Sequence, residues 1–209
     1  MSKLHFELLD KNQKECLVIL TNFTKYGVLG GGTALMLQLA FRKSFDFDIF
    51  TPKPISKQFL YKVKEHFKSI NITVNTSDEL SFISLPQEVK VSFIYYPYKS
   101  LHKIIPSDYI SVFNWYDIAL DKAHTIGRRG VWRDYVDMYF ILKSGFSLQE
   151  IIKQSVKKFG DSFSEKLFLS QLVYFKDLEN FTIEFLDQKY LQKDIEKFLE
   201  EQVGRISLK

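Results

Sequence analysis

Apolar residues recur over residues 4–25 at Leu4, Leu8, Leu9, Cys16, Val18, Ile19, Leu20 and Phe23, with charged residues between them. That spacing predicts one or two amphipathic helices. The segment YGVLGGG then reads as a short strand running into a glycine turn, with Thr33 as N-cap of a helix through about Arg42. SFDFDIF alternates with period two, as a half-buried strand does, and Pro52 and Pro54 end it. A lysine-rich helix over about residues 56–69 follows. NITVNT, LSFISL and EVKVSFIYY are three further strands, separated by Ser-Asp and Pro-Gln turn signals. From about residue 110 the spacing becomes helical throughout, in SVFNWYDIALDKAHTIGRR, WRDYVDMYFILKSG, SLQEIIKQSVKKFG and KYLQKDIEKFLEEQV.

Strands and helices mixed in this order predict an α/β or α+β sheet domain over residues 1–108 and a helical domain over 109–209, divided near Ser107–Tyr109. No internal repeat or low-complexity linker interrupts either half. With 209 residues, 45% hydrophobic and 26% charged, the chain is long and apolar enough to bury a core. The single cysteine, Cys16, excludes an internal disulfide and a multi-cysteine zinc site. MSKLHFELLDKNQ lacks the apolar region of a signal peptide, and no run approaches the roughly 18 apolar residues that span a bilayer. A soluble cytoplasmic protein is therefore expected. The net charge of +4 and pI near 8.9 suit a polyanionic ligand but equally suit many cytosolic proteins.

Candidate chemistry begins with two carboxylates. In a strand, Phe45, Phe47 and Ile49 would pack inward while Asp46 and Asp48 project together, with Cα atoms roughly 6.5–7 Å apart. Two such carboxylates can grip a divalent cation, and Mg²⁺ leaves its remaining positions to water and substrate phosphate. A half-exposed strand that happens to carry two acids is the alternative. A helix of about ten residues from Thr33 is roughly 15 Å long, and Lys43 to Asp46 can extend back about 13 Å. The strand can thus return its carboxylates to Gly31, Gly32 and Thr33, where bare backbone, a hydroxyl and unpaired amides favour an anion.

These residues resemble the DNA polymerase beta superfamily of nucleotidyltransferases, whose mark is an apolar residue, Gly-Gly or Gly-Ser, a spacer and Asp-apolar-Asp. Here it reads Leu29, Gly31, Gly32, Thr33, twelve residues, Asp46, Phe47, Asp48. More narrowly, GGTALMLQLAFRKSFDFDIF resembles the opening block of AbiEii/AbiGii-type abortive-infection toxins, and DIALDKAHTIGRRGVWRDYVDMYFIL resembles their second block. The two blocks span residues 29–142; the tail beyond about 145 carries no recognised motif. The resemblance implies a minimal nucleotidyltransferase sheet domain, with a helical part completing the nucleotide cleft. It implies transfer of a nucleotide from an NTP, with Mg²⁺ or Mn²⁺, to an acceptor such as a tRNA 3′ end, and a cognate antitoxin as partner. The implied site comprises Asp46 and Asp48 on the metal, Gly31, Gly32, Thr33, Arg42, Ser44, Arg129 and Asp134 on the nucleotide, and Lys122 and Asp137 as further catalytic residues.

The second block has its own logic. Trp115, Ile118, Ala119, Lys122 and Ile126 share one helical face, so Lys122 lies in an apolar stripe. It either snorkels to solvent or holds its charge over a cleft, where it could meet a β- or γ-phosphate. Asp137 lies in the nearly apolar run YVDMYFIL, and a buried carboxylate must be paired or lose its charge. Asp134 lies on the same side and Arg133 is four residues away from Asp137. An ion pair through Arg128, Arg129 or Lys122 and a direct active-site role are both open to it. Trp132 and Tyr139 read as packing residues.

One position departs from the superfamily, whose members commonly carry a third carboxylate on a neighbouring strand. VKVSFIY offers Ser92 there, and a serine neither binds Mg²⁺ as strongly nor acts as a base without activation. Either another residue, such as Asp134 or Asp137, takes that role or the chain is a weak or non-catalytic descendant that binds nucleotide, RNA or a protein partner. A purely structural interaction protein is a third reading. A hydrolase is disfavoured, because His5, His66, His102 and His124 show no metal-ligand spacing.

Overall fold

The computed structural model describes residues 3–178 and 182–207, and the chain divides into two compact units between Trp115 and Tyr116. In the first, α1 (Lys11–Leu20) starts at Asp10, whose carboxylate accepts from the Gln13 amide at 2.8 Å while the Gln13 side chain accepts from the Asp10 N–H. This reciprocal cap satisfies two of the four donors that a helix start leaves open. There follow β1 (Val28–Gly30), α2 (Gly31–Leu39), β2 (Phe47–Thr51), α3 (Lys57–His66), β3 (Ser69–Asn75), β4 (Glu79–Leu85) and β5 (Val89–Tyr95).

The five strands form one mixed sheet in the order β1-β2-β5-β4-β3, parallel only between β2 and β5. Its core face carries Phe47, Ile49, Leu80, Phe82, Val91 and Phe93, all fully buried. Ring contacts bind this face to Phe23, Phe59 and Phe67, with centroids 4.8 Å apart for Phe59–Phe93 and 5.0 Å for Phe67–Phe82. Each such side chain contributes roughly 1.5–3 kcal/mol by leaving water. The opposite face carries Asp48, Ser92 and Ser81. Register places Asp48 beside Ser92 and Ser92 beside Ser81, with Phe50, Ile94 and Glu79 in the next row.

Around the glycines and the two aspartates, two boundaries differ from the sequence expectation. The helix starts at Gly31 and ends at Leu39, where Ala40 turns left-handed (φ 51°) and its N–H closes on the Met36 carbonyl at 2.9 Å. Thr33 is therefore inside the first turn and is not the cap. The strand starts at Phe47, because the Ser44 and Phe45 carbonyls accept from Gln13 Nε2 at 2.9 and 3.2 Å and so lie outside the sheet ladder. Phe45 consequently lies 47% exposed and does not join the core.

The second unit is helical: α4 (Trp115–Ile126), α5 (Trp132–Lys143), α6 (Leu148–Phe159), α7 (Glu165–Leu172) and α8 (Gln192–Ser207). Tyr135, Met138, Ile151, Phe168, Leu172, Ile195 and Leu199 are buried in its core. The short α7, capped by Ser164, was not expected from the sequence. Among the described residues no helix is long and apolar enough to cross a membrane.

Candidate active site

The glycines meet Asp48 directly. Gly30 and Asp48 are register partners, and Gly31 follows at φ +64°, a backbone region that side chains avoid. A Cβ on Gly31 would lie 2.4 Å from Asp48 Oδ2, so only glycine lets this carboxylate lie against the helix start. A Cβ on Gly32 would lie 2.8 Å from Ser44 Oγ and 2.9 Å from the Arg42 guanidinium. The N-terminus of α2, with its unpaired amides, is thus gathered with Asp48, Ser44 and Arg42.

Thr33 and Arg42 are turned to the scaffold. The Thr33 hydroxyl, buried, donates to the Asp46 carbonyl and lies 3.1 Å from Ser44 Oγ. Its single hydrogen is committed there, so its observed work is to tie the first turn of α2 to the backbone before β2. Arg42, 4% exposed, donates to the Lys43 carbonyl at 2.8 Å. Asp46 is half-buried, and its carboxylate makes no hydrogen bond or ion pair among the described residues. It lines an open groove of about 620 Å³ with Gln13, Thr73 and Lys90.

Ser92 lies beside Asp48, where the superfamily pattern places an acid. Its hydroxyl is 2.8 Å from Ser81 Oγ, and Ser81 donates to Glu79 Oε1 at 2.5 Å. Ser81 and Ser92 are buried; Glu79 is half-buried.

In the helical unit, Lys122 lies between two acids, its Nζ 2.5 Å from Asp134 Oδ1 and 2.7 Å from Asp137 Oδ2. Arg129 stands 3.6 Å from Asp134 Oδ2. The two carboxylates are 3% and 0% exposed, so the ammonium between them balances charge that water does not reach. The pairing through Lys122 that the sequence left open is therefore formed. A second buried pair joins α6 to α4, where Lys158 Nζ lies 2.9 Å from both Asp117 Oδ1 and Asp121 Oδ1.

Residues 18–207 match the family described as Nucleotidyl transferase AbiEii toxin, Type IV TA system. The chain belongs to this family. The match runs well past residue 145, so the helical tail is part of the family's pattern although no motif in it was recognisable. The chain is also 30% identical to the uncharacterized protein aq_aa25 of Aquifex aeolicus (strain VF5), over 93% of its own length and 96% of that protein's. Its fold is similar to MenT4, a nucleotidyltransferase toxin of Mycobacterium tuberculosis H37Rv, at a TM-score of 0.63 and 15% identity, covering 93% and 81% of the two chains. It is similar again to a candidate nucleotidyltransferase from H. pylori, at a TM-score of 0.59 and 20% identity, covering 95% and 96%. The mixed sheet with its helices is thus a nucleotidyltransferase fold.

Three residues bonded around the candidate site of this AbiEii-family chain escaped the sequence reading: Gln13, Ser81 and Glu79. Asp10-x-x-Gln13 is a legible capping pattern, but nothing local says that the same amide reaches across to residues 44 and 45. Glu79 and Ser81 share a strand face by parity, but which strand they adjoin depends on the sheet order.

Proposed function

We propose that this toxin-family nucleotidyltransferase moves a nucleotide from an NTP to an RNA acceptor, such as a tRNA 3′ end, in the cytoplasm, restrained by a cognate antitoxin. The observation that carries the reading is the bare Gly31 backbone packed against the Asp48 carboxylate. The residue types suit a divalent cation: Asp46 and Asp48 are half-buried carboxylates, and Mg²⁺ or Mn²⁺ needs only one or two protein carboxylates when phosphate supplies the rest. Such a cation, when bound there, neutralises charge on the triphosphate.

The chain's own residues do the positioning. Gly31 and Gly32 present backbone amides to phosphate, with Arg42 and Ser44 beside them. Thr33 and Gln13 hold the backbone that carries Asp46. We assign Lys122 to the triphosphate, with Asp134 and Asp137 fixing its ammonium and Arg129 adding charge. The acceptor hydroxyl attacks the α-phosphorus and pyrophosphate leaves, with no covalent protein intermediate.

The test is incubation of the purified protein with total RNA, Mg²⁺ and each labelled NTP in turn. Labelling of a discrete RNA class is expected, and Asp46→Asn with Asp48→Asn should abolish it without lowering the melting temperature. Undiminished labelling by that variant overturns the assignment.

A further inference from the structure

The hydrogen-bond chain from Ser92 to Glu79 has a direction. Each serine carries one hydroxyl hydrogen, and an ionised carboxylate only accepts. Ser81 gives its hydrogen to Glu79 Oε1 at 2.5 Å, so the 2.8 Å contact between the serines must be donated by Ser92. Ser92 is then left with lone pairs alone toward Asp48, its neighbour on β2. Ser81 and Ser92 are 0% and 2% exposed, so bulk water does not compete for the links of the chain. Its far end, Glu79, is half-buried and has no cation partner among the described residues.

We propose that Glu79 supplies the carboxylate function that β5 lacks, acting through Ser81 and Ser92 as a positioning residue for the attacking hydroxyl. The inference rests on the nucleotidyl-transfer reading above. As the acceptor oxygen bonds to the α-phosphorus and the bond to pyrophosphate breaks, the acceptor's proton passes to Ser92 Oγ. The Ser92 proton passes to Ser81, and the Ser81 proton to Glu79, which later returns it to water. No oxidant or further reactant is needed. Two hydroxyls thereby fill the gap of roughly 5 Å between neighbouring strands.

The test compares wild type, Glu79→Gln, Ser81→Ala, their double variant, Glu79→Gln with Ser92→Asp, and Asp48→Asn, all checked for an unchanged melting temperature. Wild-type transfer that is lost in Asp48→Asn establishes the reading on which the inference rests; its absence overturns that reading instead. On that baseline, Glu79→Gln and Ser81→Ala should each lower kcat about 100-fold, the scale of one proton-transfer contribution, with KM for the NTP unchanged. The double variant should lose no more than either single one, because both break the same chain. Ser92→Asp, which places an acid directly beside Asp48, should restore at least about tenfold of the loss in Glu79→Gln. Mn²⁺ binding, followed by electron paramagnetic resonance, should be unaltered in Glu79→Gln and weakened in Asp48→Asn. Full kcat in either Glu79→Gln or Ser81→Ala, or loss of Mn²⁺ affinity in Glu79→Gln, overturns the relay.

Discussion

At Gly31 a single missing carbon decides whether Asp48 can reach the start of α2. Gly31→Ala must place a Cβ 2.4 Å from Asp48 Oδ2 at φ +64°. A strained backbone of this kind costs about 1–3 kcal/mol, read as a lower urea midpoint, and transfer activity should fall further because the carboxylate is displaced. Cys16 tests the core by a different route. Burial pushes its thiol up to about 12, with the neighbouring Ser84 hydroxyl opposing slightly. A folded value above the unfolded one, near 8.5, means a stabilising contribution present in full below about pH 8.5 and lost as pH climbs toward 12. The native protein should therefore resist a disulfide-exchange reagent at pH 8 and react with one equivalent in urea. Stability should decline above pH 9 in wild type and less so in Cys16→Ala.

At the scale of elements, α4 and α5 are locked by one lysine against two buried acids. Lys122→Met removes the ammonium held between the buried Asp134 and Asp137 carboxylates and should cost about 3–5 kcal/mol in chemical denaturation. Adding Asp134→Asn and Asp137→Asn should restore much of that stability while transfer stays lost, which separates the fold role of the cluster from its role on the nucleotide. Lys158→Met should show a comparable loss through Asp117, whose side chain is fully buried. The Lys122 pairing was within reach of the sequence, because a charge in an apolar stripe and acids in an apolar run each demand a partner. Lys158 was not, since it belongs to a lysine pair that reads as the solvated end of a helix.

For the whole molecule, the sheet-and-helix order and the family pattern over residues 18–207 agree. If Asp46 and Asp48 hold the cation that carries the triphosphate, Mg²⁺ and NTP together must stabilise the native state by mass action. At an NTP concentration 100 times Kd the gain is about 2.7 kcal/mol, or roughly 5–10 °C for a chain of this size. The rise should require both components and vanish in Asp46→Asn with Asp48→Asn. A full rise in that variant would place the nucleotide elsewhere.

The amino-acid sequence determined what depends on neighbours along the chain. Period-two and helical spacing marked the strands and most helices, and Gly31, Gly32, Asp46 and Asp48 stood out because their types conflict with an apolar surrounding. α7 did not stand out, because eight residues give too little period to read. Tertiary structure alone decided the rest. Strand parity says that Glu79 and Ser81 share a face, but only the pairing of β4 with β5 and β5 with β2 puts that face in line with Asp48. Likewise only the packing of α1 near residues 44 and 45 turns Phe45 outward and makes Thr33 an anchor. Hydrogen bonds that close between residues far apart in sequence have no local signature, because the same polar side chain is equally content in water until the fold removes the water.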